Sequence, residues 1–181
     1  MSRIAIPARE TVPAASQPIL DAVEKQLGVV PNMYKAVALS PAALQGLTSL
    51  GGALARTLDV KTRERIAVAV AQINGCDYCL SAHTYIGANL ARLDGAEIAL
   101  NRRGRSGDAK ADAAVHFAAR VAETRGKVGD DDLAAVRAAG FTDAQVVEIV
   151  SIVAENFLTN LINNVGQTEI DFPPVLAAEA A

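Results

Sequence analysis

The sequence predicts an all-α protein, and three observations indicate this fold class. Hydrophobic residues make up 51% of the 181 residues but aromatic residues only 4%, so small apolar side chains, alanine above all, must fill the core. Alanine is the strongest helix former and allows helices to pack closely. No segment shows the alternating pattern of a half-buried strand. The length fits one domain.

Caps and helix breakers give the helix boundaries in chain order. Ser16 is a candidate N-cap for a first helix that Gly28 ends, and Pro41 suits the first turn of the third. Gly75 separates two central helices, and Thr142 is a candidate cap for the long final helix. The predicted helices span residues 16–27, 31–40, 41–58, 62–74, 76–90, 94–100, 108–124, 130–138 and 143–165. The helix at 62–74 is apolar on almost all sides and is expected to be buried.

We expect one helical domain over residues 16–174. Residues 1–15 contain prolines and no periodic pattern, so they are predicted to be an irregular arm that could dock on a neighbouring subunit. Residues 171–174 should be extended, and residues 175–181 are predicted to be a C-terminal tail.

The charge balance gives the chain no electrostatic reason to bind nucleic acid or anionic lipid. The net charge is −3 and the isoelectric point is near 5.4. A small basic cluster at Arg102, Arg103 and Arg105 is interpreted as a solvated loop. No apolar run approaches the roughly 20 residues of a membrane span, and no signal-peptide core precedes Pro7. We therefore expect a cytoplasmic protein without nucleic-acid or membrane partners.

The two cysteines form a Cys-x-x-Cys motif at the start of a predicted helix. Cys76 and Cys79 are three residues apart, which places them on one helix face within the Cα separation of roughly 4.4–6.8 Å that a disulfide requires. The N–H groups and dipole at a helix N-terminus stabilise a thiolate. His83 follows four residues after Cys79 on the same face, where it could exchange a proton with that sulfur directly or through water.

A central antiparallel helix hairpin brings a carboxylate to this site. If the chain reverses at Gly75, Glu64 and His83 lie within about one helical turn of the same level. Glu64 could then hold the second ring nitrogen of His83, which would complete a series of carboxylate, imidazole and thiol. Because the reversal at Gly75 fixes the level of each residue along the two helices but not the direction in which its side chain faces, the contact is a hypothesis.

Other interpretations of the same residues remain open. Cys76, Cys79, His83 and Glu64 could form a zinc site, although the hairpin places Glu64 deeper than His83 and far from Cys76. The two cysteines could also be buried and unreactive. His116 is interpreted as an ordinary surface or packing histidine. We expect neither a metal nor another cofactor.

The spacing of these residues resembles the active-site pattern of the alkylhydroperoxidase (AhpD-like) proteins, which belong to the carboxymuconolactone decarboxylase superfamily. The pattern is Glu64, eleven intervening residues, Cys76-Asp77-Tyr78-Cys79, three more residues and His83. The peroxidase-related branch is further indicated by three segments, at 31–34, 40–41 and 143–174. The resemblance covers roughly residues 29–173.

The resemblance implies an AhpD-like helical fold and an alkylhydroperoxidase of the peroxiredoxin type that assembles as trimers or hexamers. It implies that Cys79 is the peroxidatic thiol, that Cys76 is the resolving thiol, and that His83 and Glu64 are the proton relay. Hydroperoxide would be the substrate. The reductant would be an external dithiol, which in the family can be a lipoyl group on a carrier protein. Tyr78 replaces a histidine of the best-known members but could still donate a supporting hydrogen bond.

Three alternative functions use the same residues. The first is a thiol–disulfide oxidoreductase or redox sensor without peroxidase turnover, and the second is a non-catalytic metal-binding or structural helical module. The third is a lyase that acts on a ring lactone. The Cys pair argues against the third, because the decarboxylases of the superfamily generally lack it.

Overall fold

A computed structural model describes residues 2–178, and helices are the only regular secondary structure in that part of the chain. Two short 3₁₀ helices, Arg9–Thr11 and Ala14–Ser16, come first. Nine α-helices follow: α1 (Gln17–Leu27), α2 (Asn32–Val37), α3 (Pro41–Leu54), α4 (Val60–Ile73), α5 (Asp77–Asn89), α6 (Gly95–Arg102), α7 (Ala109–Thr124), α8 (Asp130–Ala138) and α9 (Asp143–Gly166). The prediction of an all-α fold is confirmed.

Several helices are capped by a side chain at their N-terminus, and the predicted cap Thr142 is one of them. The side chains of Asp59, Asp94, Asp108 and Thr142 each accept a hydrogen bond from the first turn of the following helix. Ser16 is an exception: its hydroxyl donates to the Ala38 carbonyl at 2.8 Å instead of capping α1.

Helix α3 ends at Leu54, four residues before the predicted end. The carbonyls of Ala55 and Leu58 leave the helical pattern and accept hydrogen bonds from the Arg63 guanidinium. A tertiary contact, invisible in the local pattern, therefore ends this helix.

Helix α4 is the centre of the fold. It packs against α5, α6, α7 and α9, and every residue from Ile66 to Ala71 is buried. The prediction that this helix is apolar on all sides and buried is confirmed. One core cluster joins α4 to α7, α8 and α9, and a second joins it to the N-terminal part of α5 and to α6. A third cluster joins α1, α2 and α3.

The chain reverses between α4 and α5 at Gly75. This glycine has φ = 60°, a left-handed conformation that costs other residues energy. The Cys76 amide then donates to the Ala71 carbonyl at 3.0 Å, and α5 returns alongside α4. The predicted hairpin that carries the Cys-x-x-Cys motif is therefore present.

Helix α9 has one face in the core and one exposed face. Its buried positions include Asn156, Asn160 and Asn163. Five large apolar residues lie exposed along the other face: Val147, Val150, Leu158, Leu161 and Val165. By length and composition, α9 is the single helix of residues 2–178 that could span a membrane, with a mean hydropathy of 1.3. Core helices of soluble proteins meet the same criteria, and α9 packs against α3, α4, α5 and α7.

Both terminal segments lie against the chain's own helices. Arg3 donates its amide to the Gly166 carbonyl at 2.6 Å, and Val12 is buried against α1 and α3. We call residues 168–177 the C-terminal strap. It crosses the start of α5, where the amides of Val175 and Ala177 donate to the side chains of Ser81 and Asp77. The predicted tail at 175–181 is thus docked as far as Ala177, and its last three residues lie outside the described part of the chain.

The basic cluster is not a solvated loop throughout, contrary to the prediction. Arg102 lies in α6 and donates to Gln72 at 2.7 Å and to the Leu176 carbonyl of the strap at 3.0 Å. Arg105 forms a two-pronged hydrogen bond with Asp112. Arg103 and Arg105 are both exposed, and of these Arg105 is held by its pairing with Asp112.

Candidate active site

Cys76 and Cys79 form a disulfide at the N-terminus of α5. Their Cα atoms are 5.3 Å apart, which is within the predicted range. The sulfur of Cys76, the N-cap residue, accepts the Cys79 amide at 3.2 Å. Cys76 is fully buried and Cys79 is 3% exposed. The pair can therefore alternate between dithiol and disulfide at the positive end of a helix.

Glu64 and His83 form a hydrogen-bonded pair across the α4–α5 hairpin. His83 Nδ1 lies 2.9 Å from Glu64 Oε2, and the two side chains are 24% and 14% exposed. The side chains of Glu64 and His83 therefore face each other, which the sequence alone could not establish. With Nδ1 held by the carboxylate, the other ring nitrogen, Nε2, is left to exchange protons elsewhere.

The carboxylates around His83 favour its charged form. Burial alone would lower the pKa of His83, but the charge and hydrogen bond of Glu64, and the charge of Glu155, outweigh burial and raise it. The imidazolium consequently persists to higher pH than that of a free histidine.

Glu155, on α9, is a carboxylate near the site that the sequence analysis did not identify. Burial, together with the charge of Glu64, raises the pKa of Glu155, while His83 and Arg63 act in the opposite direction. The Glu155 carboxylate packs against Gly51 of α3. A side chain at position 51 would clash with it, because a Cβ there would be 2.5 Å from Glu155 Oε1. The sequence feature that could have indicated Glu155 is its position as an acidic residue within the apolar run of α9.

Asn163 is the second residue that the sequence analysis missed. Its Nδ2 donates to Cys79 Sγ at 3.3 Å, and its side chain is buried. Two more asparagines of α9 hold the turn before α5: Asn160 Oδ1 accepts from Asn74 Nδ2 at 2.9 Å, and Asn164 Nδ2 donates to the Asn74 carbonyl at 3.0 Å. A row of asparagines on a buried helix face was the signal that could have indicated this contact.

His83 follows Cys79 by one turn of α5, as predicted from the spacing. Within residues 2–178 no hydrogen bond joins His83 to either sulfur of the disulfide. Direct proton transfer between Cys79 and His83 is therefore not provided by a hydrogen bond in this structure.

Tyr78 holds the strap and α2 in place. Its hydroxyl accepts the Met33 amide at 3.1 Å and donates to Asp171 Oδ1 at 2.8 Å, and its ring packs edge-on against Phe172. Burial, with the Asp171 carboxylate beside it, raises the pKa of Tyr78 above its ordinary value of 10.0. The predicted hydrogen-bond donation is present, and it is directed to the strap instead of to the Glu64–His83 pair.

The residues of the zinc alternative do not converge. Across the part of the chain that the structure describes, no three His, Cys, Asp or Glu side chains form a group that could hold a metal ion. His116, the other histidine, is exposed on α7.

The fold and the site define an AhpD-like helical protein with a Cys-x-x-Cys pair, and comparison with known proteins agrees. The sequence pattern of the carboxymuconolactone decarboxylase family matches residues 41–124. The crystal structure of an alkylhydroperoxidase AhpD core, an uncharacterized peroxidase-related protein from Ralstonia eutropha JMP134, superposes with a TM-score of 0.82 at 27% identity. That match covers 94% of this chain and 92% of the other. The chain therefore has the fold of the AhpD-like proteins, and its residues 41–124 resemble the carboxymuconolactone decarboxylase family.

Two further similarities add less about function. An uncharacterized protein of Haemophilus influenzae is 43% identical over 63 residues, which are 34% of this chain and half of that protein's length. The debrominase Bmp8 has the same fold, with a TM-score of 0.78 at 17% identity over 93% of this chain and 91% of its own. A Cys-x-x-Cys pair in this fold fits a peroxidase-related role, and the residues of the site must indicate the particular reaction.

Proposed function

We propose that the protein is a thiol-dependent alkyl hydroperoxide reductase with an antioxidant role. The observation that carries the proposal is one helix, α5, that presents a redox-active cysteine pair at its N-terminus and a carboxylate-held histidine one turn later. A peroxidase that uses a thiol needs a nucleophile, a proton relay and a resolving thiol, and this arrangement supplies all three.

The proposed reaction begins with the reduced protein. The Cys79 thiol gives its proton to His83 through a bridging water, and Glu64 stabilises the resulting imidazolium. The thiolate attacks the terminal oxygen of the hydroperoxide, the O–O bond breaks, and Cys79 becomes a sulfenic acid. The alkoxide leaves with the electron pair of that bond and takes a proton from the imidazolium to form an alcohol.

The second half of the reaction restores the disulfide and then the dithiol. The Cys76 thiol attacks the sulfenic sulfur, and water leaves as the Cys76–Cys79 bond forms. An external dithiol reduces this bond by exchange and is itself oxidised to a disulfide. A lipoyl group on a carrier protein has the required chemistry. No other cofactor takes part in these steps.

Cys79 is proposed as the attacking thiol because it is closer to His83 in the helix. It also lies inside the first turn of α5, whereas Cys76 is the N-cap residue. The order is the reverse of the thioredoxin arrangement, in which the first cysteine attacks.

The proposal is tested by adding one equivalent of cumene hydroperoxide to the reduced protein after the reductant is removed. Free thiols and intact mass are followed over seconds. Rapid loss of both thiols with a mass decrease of two hydrogens, absent in Cys79→Ser, is expected. Thiols that persist while the peroxide remains unconsumed would contradict the proposal.

A thiol–disulfide oxidoreductase or redox sensor is the second candidate, favoured by the disulfide that the pair already forms. It would exchange with protein thiols at a useful rate and turn over hydroperoxide slowly. Parallel assays with a reduced protein substrate and with hydroperoxide distinguish the two functions.

Assembly of copies into a trimer or hexamer is also proposed. The support is the exposed apolar face of α9, on which Val147 and Val165 are each 65% exposed and Leu161 is 56% exposed. Such a continuous apolar face along one helix is typical of a contact surface. Light scattering of the wild type and of Leu161→Glu tests this: a smaller particle is expected for the variant, and an unchanged mass would remove α9 from the interface.

A cytoplasmic location remains an expectation from the sequence.

A further inference from the structure

The amide of Asn163 is the only side-chain group in residues 2–178 that hydrogen-bonds to Cys79 Sγ. The contact comes from α9, 84 residues away in sequence, and not from the α4–α5 hairpin that carries the rest of the site. A thiolate offers lone pairs and no proton, so the N–H of an amide is a suitable partner for it. A hydrogen bond to the charged form favours ionisation of the thiol.

The other end of the same amide lacks a partner. Asn163 Oδ1 is buried and accepts no hydrogen bond within the described residues, although the side chain is only 3% exposed. A buried acceptor of this kind is costly to a folded protein, and in a native structure it calls for an explanation such as a catalytic role. Here it lies one carbon atom away from the nitrogen that contacts the reacting sulfur.

Neighbouring asparagines fix the position of this amide. Asn160 and Asn164, on either side of it in α9, both bond to Asn74 at the end of α4. These contacts hold the α4–α5 turn, which positions the cysteine pair, in a fixed place against α9. The Asn163 side chain is thus presented to the sulfur by a rigid support on both sides.

We propose that Asn163 is a catalytic residue of the hydroperoxide reaction, which makes this inference depend on the proposed function. Its Nδ2–H stabilises the Cys79 thiolate before attack. Its Oδ1 accepts the O–H of the incoming hydroperoxide and directs the terminal oxygen, the one that is attacked, toward the sulfur. After the O–O bond breaks, the same oxygen accepts the O–H of the Cys79 sulfenic acid. Asn163 itself gains and loses no proton or electron in these steps.

The test uses the Cys76→Ser protein as parent, in which Cys79 is the single thiol. Asn163→Leu removes both ends of the amide with little change in side-chain size. Asn156→Leu is the matched control, because Asn156 is a buried asparagine of the same helix whose Nδ2 bonds only to the Ile152 carbonyl. Alkylation by iodoacetamide and oxidation by cumene hydroperoxide are each followed by intact mass from acidic to alkaline pH.

In Asn163→Leu, the pH midpoint of alkylation should move upward, and the rate below the midpoint should fall roughly 10- to 100-fold. On the alkaline plateau, where the thiol is fully ionised, alkylation should recover, but oxidation by hydroperoxide should stay slower than in the parent. Asn156→Leu should match the parent in both reactions. This combination separates loss of the N–H from loss of the carbonyl oxygen.

An unchanged midpoint together with an unchanged ratio of the two plateau rates would overturn the proposal. A shifted midpoint with an unchanged ratio would overturn the role of Oδ1 in binding hydroperoxide. If circular dichroism shows that Asn163→Leu is unfolded, Asn163→Ala, a smaller side chain that also lacks both ends of the amide and carries no charge, decides by the same criteria. A parent that never reacts with hydroperoxide contradicts the proposed function, and the alkylation arm still judges the effect of the amide on the thiolate.

Discussion

Replacement of Tyr78 by phenylalanine should destabilise the C-terminal strap without removing the aromatic packing. The ring keeps its edge contact with Phe172, at 5.9 Å between centroids, so only the hydroxyl is lost. That hydroxyl joins the Met33 amide to the Asp171 carboxylate. The substitution therefore disconnects the strap from α2 at one point.

The size of the effect follows from the two hydrogen bonds. The partly buried Met33 amide loses its acceptor, which costs about 1–3 kcal/mol. Asp171 is exposed, so loss of its donor adds about 1 kcal/mol or less. We expect a total of roughly 1–4 kcal/mol, which corresponds to a decrease in Tm of about 2–16 °C for a chain of this size.

The strap also covers part of the core cluster that contains the cysteine pair. Phe172, Val175 and Ala177 pack against the core cluster that contains both cysteines. A dithiol has to reach a sulfur to reduce the disulfide, so a loosened strap should make reduction by dithiothreitol faster in Tyr78→Phe than in the wild type.

Thermal unfolding and the rate of disulfide reduction measure the two effects. Tyr85→Phe is the control, because Tyr85 also contacts Phe172 but its hydroxyl forms no hydrogen bond within the described residues. It should leave both quantities nearly unchanged. A Tyr78→Phe protein with wild-type Tm and wild-type reduction rate would refute the role assigned to the hydroxyl.

Three further predictions concern the hairpin. Glu64→Gln should slow oxidation by hydroperoxide about 10- to 100-fold, which is the contribution of a charge-assisted hydrogen bond. It should also lower the pKa of His83, so that the alkaline limb of the pH–rate profile moves to lower pH. An unmoved limb would exclude Glu64 from the relay. Folding raises the pKa of His83, so its stabilising contribution is full below the ordinary value of 6.5 and is lost as pH rises through the folded value. The difference in Tm between the wild type and His83→Gln should therefore shrink with rising pH, and a constant difference would contradict this. Gly75→Ala should cost about 1–2 kcal/mol in denaturant unfolding because of its positive φ, and no loss would mean that the turn relaxes.

Local rules of helix geometry were sufficient to predict half of the site. The spacing of Cys76, Cys79 and His83 fixes their common face on α5, and a reversal at Gly75 sets the level of Glu64. These relations follow from the 3.6 residues per turn of an α-helix and from a chain reversal at one glycine. The same is true of the starts of α8 and α9, at Asp130 and Asp143, which agree with the prediction.

The remaining parts depend on tertiary packing, which no local pattern reveals. Asn163 and Glu155 reach the site from α9, and which face of that helix meets α5 is decided by the packing of the whole bundle. The strap bonds to Ser81 and Asp77 across about 100 residues, although its sequence indicated only an extended tail. Likewise, Arg63 ends α3 from the next helix along the chain.

The most direct test of the account is to locate the first oxidised sulfur. Cys76→Ser and Cys79→Ser proteins are each mixed with one equivalent of cumene hydroperoxide in the presence of dimedone, which traps sulfenic acids, and are then analysed by peptide mass spectrometry. If Cys79 is the attacking thiol, a dimedone adduct is expected on Cys79 in the Cys76→Ser protein and none in the Cys79→Ser protein. An adduct on Cys76 in the Cys79→Ser protein, or none in either, would contradict this assignment.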